Sequence, residues 1–148
     1  TEEIVAIRHN FYASIPLIQL FANNKIGVEL DTLSDFYLVG AQGGLFNDNI
    51  LHYAGVSEAV QAMINGEVSC VVAPRSQIES ALSGLRDEYL FSNVTMPLSY
   101  QAKWVVGMAV KDDRSELMAA LKKALNEIKV SGELASLFKK YNISYKKP

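Results

Sequence analysis

The sequence predicts an α/β fold in which a mixed, mostly parallel sheet is flanked by helices and two further helices close the chain. Segments of strand and helix character alternate through the middle of the chain, as they do in parallel sheets. The composition, 49% hydrophobic and 20% charged over 148 residues, indicates about one globular domain and argues against disorder. After Lys111 the apolar residues recur at helical spacing.

The first elements follow from local composition. EEIVAIRHN is short and β-branched, which predicts a strand. FYASIPLIQLFANNKIGV stays unassigned, because Pro16 interrupts any helix and NNKIG carries turn residues. LDTLSDF predicts a short helical turn with Asp31 as its cap, and YLVGA predicts the next strand.

The middle of the chain continues the alternation. QGGLFNDN is a Gly-rich bend that we expect to lead into a helix reaching about His52, with a short strand near His52 to Ala54. SEAVQAMING predicts a helix that begins with Ser57 as N-cap and stops at Gly66. The strand SCVVA follows, and its Cys70 is interpreted as a buried, inert thiol.

A second helix is predicted directly after that strand. In SQIESALSGL, Ser76 and Glu79 have the S-x-x-E spacing of a capping box. Further on, KWVVGMAV has strand character, and the remaining chain predicts two helices separated at Ser131-Gly132. Their apolar faces carry Leu117, Leu121, Leu125 and Ile128 on the first helix and Leu134, Leu137 and Phe138 on the second.

Three segments, in this order, resemble a known family. LDTLSDFYLVGAQGG is similar to "sLdDLkGkkVgvqkGt", SEAVQAMINGEVSCVVAP to "ealqaLaaGrvDAvvvD", and the stretch from Trp104 to Tyr141 to "yGiavrkgdpeLlaalnkaLaelkadGtlakiyeky". These patterns are typical of bacterial extracellular solute-binding proteins of family 3, the amino-acid type. The resemblance implies the type 2 periplasmic-binding-protein-like fold, which has two lobes joined by a hinge.

The resemblance also implies a division of the chain. Residues 1–9 would be a crossover strand, 10–100 the second lobe, and 101–148 the return strand and C-terminal helices of an incomplete first lobe. The hinge would lie near Arg8–Asn10 and Gln101–Trp104. The family's N-terminal stretch has no counterpart here, and neither has the first-lobe arginine that usually grips the ligand carboxylate.

The closing helices therefore carry apolar faces that first-lobe strands would normally cover. Because such a patch is rarely left exposed, we expect a partner chain, a swapped segment or a further piece of protein to complete the lobe. The alternative is that the C-terminal helices fold over the second lobe.

Two strand-to-helix corners are the candidate ligand site, since ligands of open α/β sheets collect where strands end and helices begin. Arg75 could pair with a carboxylate or phosphate, and glycines let a ligand approach the backbone closely. The candidate residues are Gly43, Gly44, Leu45, Phe46, Asn47, Pro74, Arg75 and Ser76. The simpler interpretations are a tight Gly-Gly turn, a solvated Arg75 and ordinary capping residues.

Both features with which the family binds amino acids differ in this sequence. Leu45 follows Gly44 where a hydroxyl residue is expected, and Pro74 replaces the Asp that pairs with the ligand ammonium. A buried ammonium without a charged partner costs about 2–5 kcal/mol. We therefore expect a small polar or anionic ligand rather than a standard amino acid.

The function predicted from the sequence is that of a periplasmic or extracellular solute-binding protein for ABC-type uptake. The alternative is a sensor input domain, or an accessory domain that docks a partner protein. A net charge of −2 gives no reason to expect nucleic acid. Catalysis, a metal and a cofactor are not expected, because His9 and His52 lack a metal-ligand spacing and no phosphate-loop or dinucleotide motif occurs.

Overall fold

The computed structural model describes residues 1–95 and 101–148 of the chain. The strands are β1 (Glu2–His9), β2 (Ile26–Glu29), β3 (Ile50–Tyr53), β4 (Cys70–Pro74), β5 (Tyr89–Asn93) and β6 (Lys103–Trp104). The helices are α1 (Leu17–Asn23), α2 (Leu33–Gly40), α3 (Val56–Ile64), α4 (Arg75–Leu82), α5 (Ser115–Val130) and α6 (Glu133–Lys140).

The strands form one mixed sheet in the order β3-β2-β4-β1-β5, with β6 beside the start of β1. β2 runs parallel to β3 and β4, whereas β1 is antiparallel to β4, β5 and β6. The predicted mixed α/β architecture is confirmed. Parallel pairing is confined to the three strands on one side of β1.

Strand alternation divides the core into two layers. On one face Val5 and Ile7 of β1 pack with α3 and α4. On the other face Ile4 and Ala6 pack with α1, α2 and Phe46. Both faces of β1 are buried because side chains alternate across a strand and helices cover the two sides.

The register defines two edges of the sheet. Ile4 lies opposite Pro74, so the start of β1 and the carboxyl ends of β2, β3 and β4 share one edge, which we call the crossover edge. Arg8 lies opposite Cys70, and Cys70 lies opposite Ile26, so the amino ends of the parallel strands form the distal edge.

The prediction of a strand over YLVGA is wrong. Residues 37–40 belong to helix α2 and Ala41 is its C-cap, and the N-cap of this helix is Thr32 rather than Asp31. Inside α2, Leu38 is buried while Phe36 and Val39 are exposed, which is the pattern of a surface helix. The strand that precedes α2 is instead IGVE, which begins inside the segment left unassigned and ends one residue after it.

Other boundaries also differ from the prediction. No helix leads to His52 in the described part of the chain: a 3-10 turn over Asn47–Asn49 runs directly into β3. Of KWVVGMAV only Lys103–Trp104 pairs as a strand. Ser57 does not cap α3, which begins at Val56 with Gly55 as N-cap.

The two C-terminal helices are confirmed, with the break at Gly132, whose φ of 80° suits glycine. No residue of either helix is buried. The tail beyond them is hydrogen-bonded to the main body: the N–H and hydroxyl of Ser144 each donate to Glu79 at 2.7 Å. The predicted boundary at residue 100 lies outside the described residues.

None of the helices in the described ranges is both long and apolar enough to span a bilayer.

Candidate functional site

A cavity of about 240 Å³ opens at the crossover edge, which we call the crossover cavity. Strands β1, β2 and β4, the first turns of α2 and α4, and the return strand β6 all contribute to it. Its lining residues are Ile4, Glu29, Thr32, Leu33, Ser34, Pro74, Gln77 and Trp104. It lies where a ligand of an open α/β sheet is expected, outside the carboxyl ends of the parallel strands.

The start of α2 is held rigidly at this cavity. Thr32 Oγ1 donates to the Glu29 carbonyl at 2.8 Å and accepts the Asp35 N–H at 3.3 Å. Asp35 in turn accepts the N–H of Asp31 at 3.0 Å, in a reciprocal arrangement close to a capping box. Asp31 has a φ of 59°, which Asp tolerates better than most residues.

Polar groups at this helix start lack hydrogen-bond partners among the described residues. The N–H groups of Leu33 and Ser34 begin α2 and therefore have no acceptor within the helix. Ser34 is only 2% exposed, yet its hydroxyl has no hydrogen-bond partner among the described residues. Unpaired donors at the positive end of a helix favour an anionic group such as a carboxylate.

The carboxylate of Asp35, in the first turn of α2, already has hydrogen-bond partners. Asp35 is buried, and its second oxygen lies 2.8 Å from Nε2 of His52 on β3. This contact links α2 to β3 and holds the Asp35 carboxylate against the His52 side chain. We therefore interpret His52 and Asp35 as a structural pair that shapes the cavity wall.

Glu29 stands at the opposite wall. Its side chain is half-buried and lines both the crossover cavity and an adjoining groove between α3 and α4. No group among residues 1–95 and 101–148 forms an ion pair or a hydrogen bond with its carboxylate. It is an acidic group facing open space next to the start of α2.

The Pro74-Arg75-Ser76 corner also lies at the crossover edge. The Arg75 Nε donates to Glu3 at 2.6 Å, and the guanidinium lies 5.1 Å from the centre of the Phe91 ring. The N–H of Ser76 donates to Glu2 at 3.3 Å. Of the three residues, Pro74 lines the crossover cavity, whereas the Arg75 side chain is occupied by an internal ion pair.

The predicted capping box of α4 is not formed. Glu79 turns toward the C-terminal tail and toward Arg86, 3.3 Å away, and Pro74 occupies the N-cap position. Glu3 completes this network with Arg75 and Lys146. Burial by itself would raise the pKa of Glu3, but the hydrogen bonds from Lys146 and Arg75 outweigh it and hold that pKa below its ordinary value.

The second predicted corner lies elsewhere. Gly43 and Gly44, with φ of 67° and 86°, form the turn after α2, and Asn47 begins the 3-10 turn that leads into β3. Leu45 is exposed, and Phe46 is buried against Phe21. These residues belong to the distal edge, so the structure does not bring them together with Pro74, Arg75 and Ser76.

Sequence reasoning missed Thr32, Ser34, Glu29 and Trp104. The sequence did contain a signal for Thr32. In the family a strand is followed by a turn and then by a hydroxyl residue, which the resemblance aligned with Gly44 and Leu45. The same order occurs earlier in this chain, where Ile26-Gly27-Val28 is followed by Asp31 and Thr32. This signal is hard to recognise because Asp31, and not a glycine, adopts the positive φ in the turn. Trp104 was assigned to packing because it begins a crossover strand.

No family model matches the chain, and no curated protein matches it. Among solved structures, it is similar to an ancestral arginine-binding protein bound to glutamine, with 22% identity, a TM-score of 0.60, and coverage of 95% of this chain and 59% of that chain. An ancestral cationic amino acid solute-binding protein gives 18% identity, a TM-score of 0.71, and coverage of 96% and 58%.

A polar amino acid ABC uptake transporter substrate-binding protein from Streptococcus thermophilus is also similar, with 15% identity and a TM-score of 0.64. The match covers 97% of this chain and 56% of that one. At these identities the likeness establishes the fold, and the periplasmic-binding-protein-like fold implied by the sequence is confirmed. These neighbours are described as binding proteins and not as enzymes. This chain spans less than three fifths of the length of each of them.

Proposed function

We propose that the chain is the ligand-binding second lobe, with part of the first lobe, of a solute-binding protein that serves ABC-type uptake. The observation that carries this proposal is the crossover cavity, which is lined both by the start of α2 and by the return strand that bears Trp104. The neighbours whose names specify amino-acid binding support it. A periplasmic or extracellular setting follows from the same role.

The proposed ligand is a small polar molecule that presents a carboxylate to Leu33 and Ser34. The sequence argued against an amino acid partly because Leu45 stands where a hydroxyl is expected. Thr32 supplies a hydroxyl residue at the start of a helix, so that objection no longer holds. Pro74 still differs from the acidic residue that the family pairs with a ligand ammonium.

The division at residues 1–9, 10–100 and 101–148 is part of the proposal. Leu117, Val130 and Leu137 of α5 and α6 are exposed, and so are Val105 and Val106 before them. Apolar surface of this extent on two packed helices favours a further layer of structure over them. Closure of the completed first lobe on the crossover edge would enclose the ligand, and the closed form would be favoured by contacts in both lobes.

A docking role is the second candidate, and one observation favours it. A groove of about 510 Å³ runs between α1 and α2, and the exposed side chains of Ile18 and Phe36 flank it. An exposed apolar groove on a small domain is a common feature of protein contact sites. This function would leave the crossover cavity empty.

The test is a two-dimensional NMR titration of the chain with L-glutamine and L-arginine, the ligands named for the neighbours. Amide shifts confined to Leu33, Ser34 and the Trp104 indole would support the proposal. Gly43 and Gly44 are the internal control, because they lie at the distal edge. Shifts at those glycines alone, or none at millimolar ligand, would overturn it.

A further inference from the structure

We infer that the tail after α6, residues 143–148, sets the orientation of the helix pair α5 and α6 relative to the main body, which comprises β1–β5 and α1–α4. The tail is then a second connection between the two parts, in addition to the return strand β6. Its release frees the helix pair to turn. The inference concerns how the two parts of the chain are held together and does not depend on the proposed function.

The helix pair faces the main body across a gap rather than a packed interface. No residue of α5 or α6 is buried. Between the helix pair and the main body lies a cavity of about 430 Å³, lined by Leu125, Leu134 and Phe138 on one side and by Arg75 and Ser76 on the other. Because packed side chains are what normally fix one element on another, the helix pair has to be fixed by other contacts.

Two acidic side chains of the main body anchor the tail. Ser144 donates both its N–H and its hydroxyl to the Glu79 carboxylate, each at 2.7 Å, and the Glu79 side chain is fully buried. Lys146, two residues further on, pairs with Glu3, whose side chain is also largely buried. Hydrogen bonds to a charged group are roughly twice as strong as ordinary ones, and a buried charge is not weakened by solvent as a surface ion pair is.

The spacing of these contacts fits one face of the sheet. Side chains two residues apart point to the same side of an extended segment. Glu3 lies on the face of β1 that packs with α4, the helix that carries Glu79. Thr1 adds two contacts to the backbone of the tail, since its nitrogen and its hydroxyl donate to the carbonyls of Lys146 and Lys147 at 2.8 Å.

The turn at the end of α6 connects the helix pair firmly to the tail. Asn142 adopts a φ of 60°, and the N–H of Ile143 donates to the Phe138 carbonyl at 3.0 Å, which closes the end of the helix. The centre of the Tyr145 ring lies 5.1 Å from that of Phe138. The first tail residues are therefore held on α6, so that anchoring the tail to the two acidic side chains also fixes the helix pair.

Double electron–electron resonance between two spin labels measures this orientation. One label is placed at Gln61→Cys on α3 and the other at Lys123→Cys on α5, both exposed positions. Cys70 stays unlabelled, because it is buried and burial raises its pKa to about 12. With the tail unmodified we expect one narrow distribution of distances. Ser144→Ala combined with Lys146→Ala should broaden that distribution about twofold or more, because the charge-assisted contacts are lost.

Ser136→Ala combined with Lys139→Ala is the matched control, since it makes the same changes at exposed positions of α6. Its distribution should match that of the unmodified tail. Ser144→Thr keeps the hydroxyl and should keep the narrow distribution. A second pair of labels inside the main body, at Gln19→Cys and Gln61→Cys, should give the same distance in every variant and so verifies that the main body is folded.

An unchanged distribution in the double variant would overturn the inference, and so would a broad distribution with the tail unmodified. Loss of the distance inside the main body would show that the double variant does not fold. Lys146→Ala alone, which keeps both hydrogen bonds from Ser144 to Glu79, then decides: broadening supports the inference and an unchanged distribution overturns it. No ligand is added, so each outcome leaves the proposed function standing.

Discussion

At the scale of single residues, the site is defined by polar groups that the fold leaves without partners. Most buried polar atoms in proteins are hydrogen-bonded, so an orphan in a cavity is informative. Ser34, whose buried hydroxyl has no partner among the described residues, and Glu29 line the same cavity from the start of α2 and the end of β2. Arg75, which looks more suitable in the sequence, is consumed by Glu3.

Replacing Ser34 should separate binding from stability. In the empty protein Ser34→Ala removes an unpaired buried hydroxyl, so the free energy of unfolding should rise by about 1 kcal/mol. Affinity for L-glutamine should fall at the same time. Urea denaturation with and without ligand measures both effects, and Ser80→Ala, an exposed position on α4, is the control. Clear destabilisation of the empty protein would show that Ser34 is bonded internally.

At the scale of elements, the tail that follows α6 is bonded to the main body through a set of polar contacts, which we call the clasp. Ser144 and Lys146 alternate along it and reach Glu79 and Glu3. α5 and α6 themselves pack on each other and bury no residue against the sheet. The tail therefore adds charged contacts to the attachment of the C-terminal third of the chain, and these contacts are sensitive to pH.

The sign of that sensitivity follows from Glu3. A carboxyl whose pKa is lowered by folding stabilises the protein above its ordinary value of 4.5, and this stabilisation is lost as the pH falls through the lowered value. Glu3→Gln should therefore be less stable than the unmodified chain at neutral pH, with the difference shrinking in acid. Denaturation over a pH series measures it.

Glu127→Gln, on the exposed surface of α5, is the control for removing a carboxylate that takes no part in these contacts. A Glu3→Gln penalty of the same size at neutral and acidic pH would contradict the proposed clasp.

The sequence predicted the elements with the clearest patterns. β1, β4, α3, α4 and the pair α5 and α6 have long or periodic apolar patterns, and all are found. The error at YLVGA arose because five residues of mixed apolar character fit a strand or a helix equally well. The helix is favoured because Thr32 caps its start and Leu38 packs in the core beside the sheet.

The candidate site was harder to predict from the sequence than the fold was. The corner at Pro74 was located correctly, because strand and helix meet there in the chain. Glu29, Ser34 and Trp104 are joined only by the sheet register and by the return of β6 beside β1. No local pattern encodes those contacts.

At the scale of the whole molecule, the described chain has a buried two-layer body and a C-terminal third with exposed apolar faces. The neighbours with this fold are longer than this chain. The proposed ligand site lies at the boundary between the two parts, where β6 brings Trp104 to the cavity that β2, β4 and α2 line. Closure of the parts around the ligand would then be read by a transporter.

Trp104 provides the most direct measurement, because it is the only tryptophan of the chain and it lines the crossover cavity. Its fluorescence should be recorded while L-glutamine is added to the unmodified chain. Binding at the crossover cavity predicts a saturable change in emission, since the ligand replaces water beside the indole. Emission that stays constant to millimolar ligand would contradict the claim that this edge is the binding site.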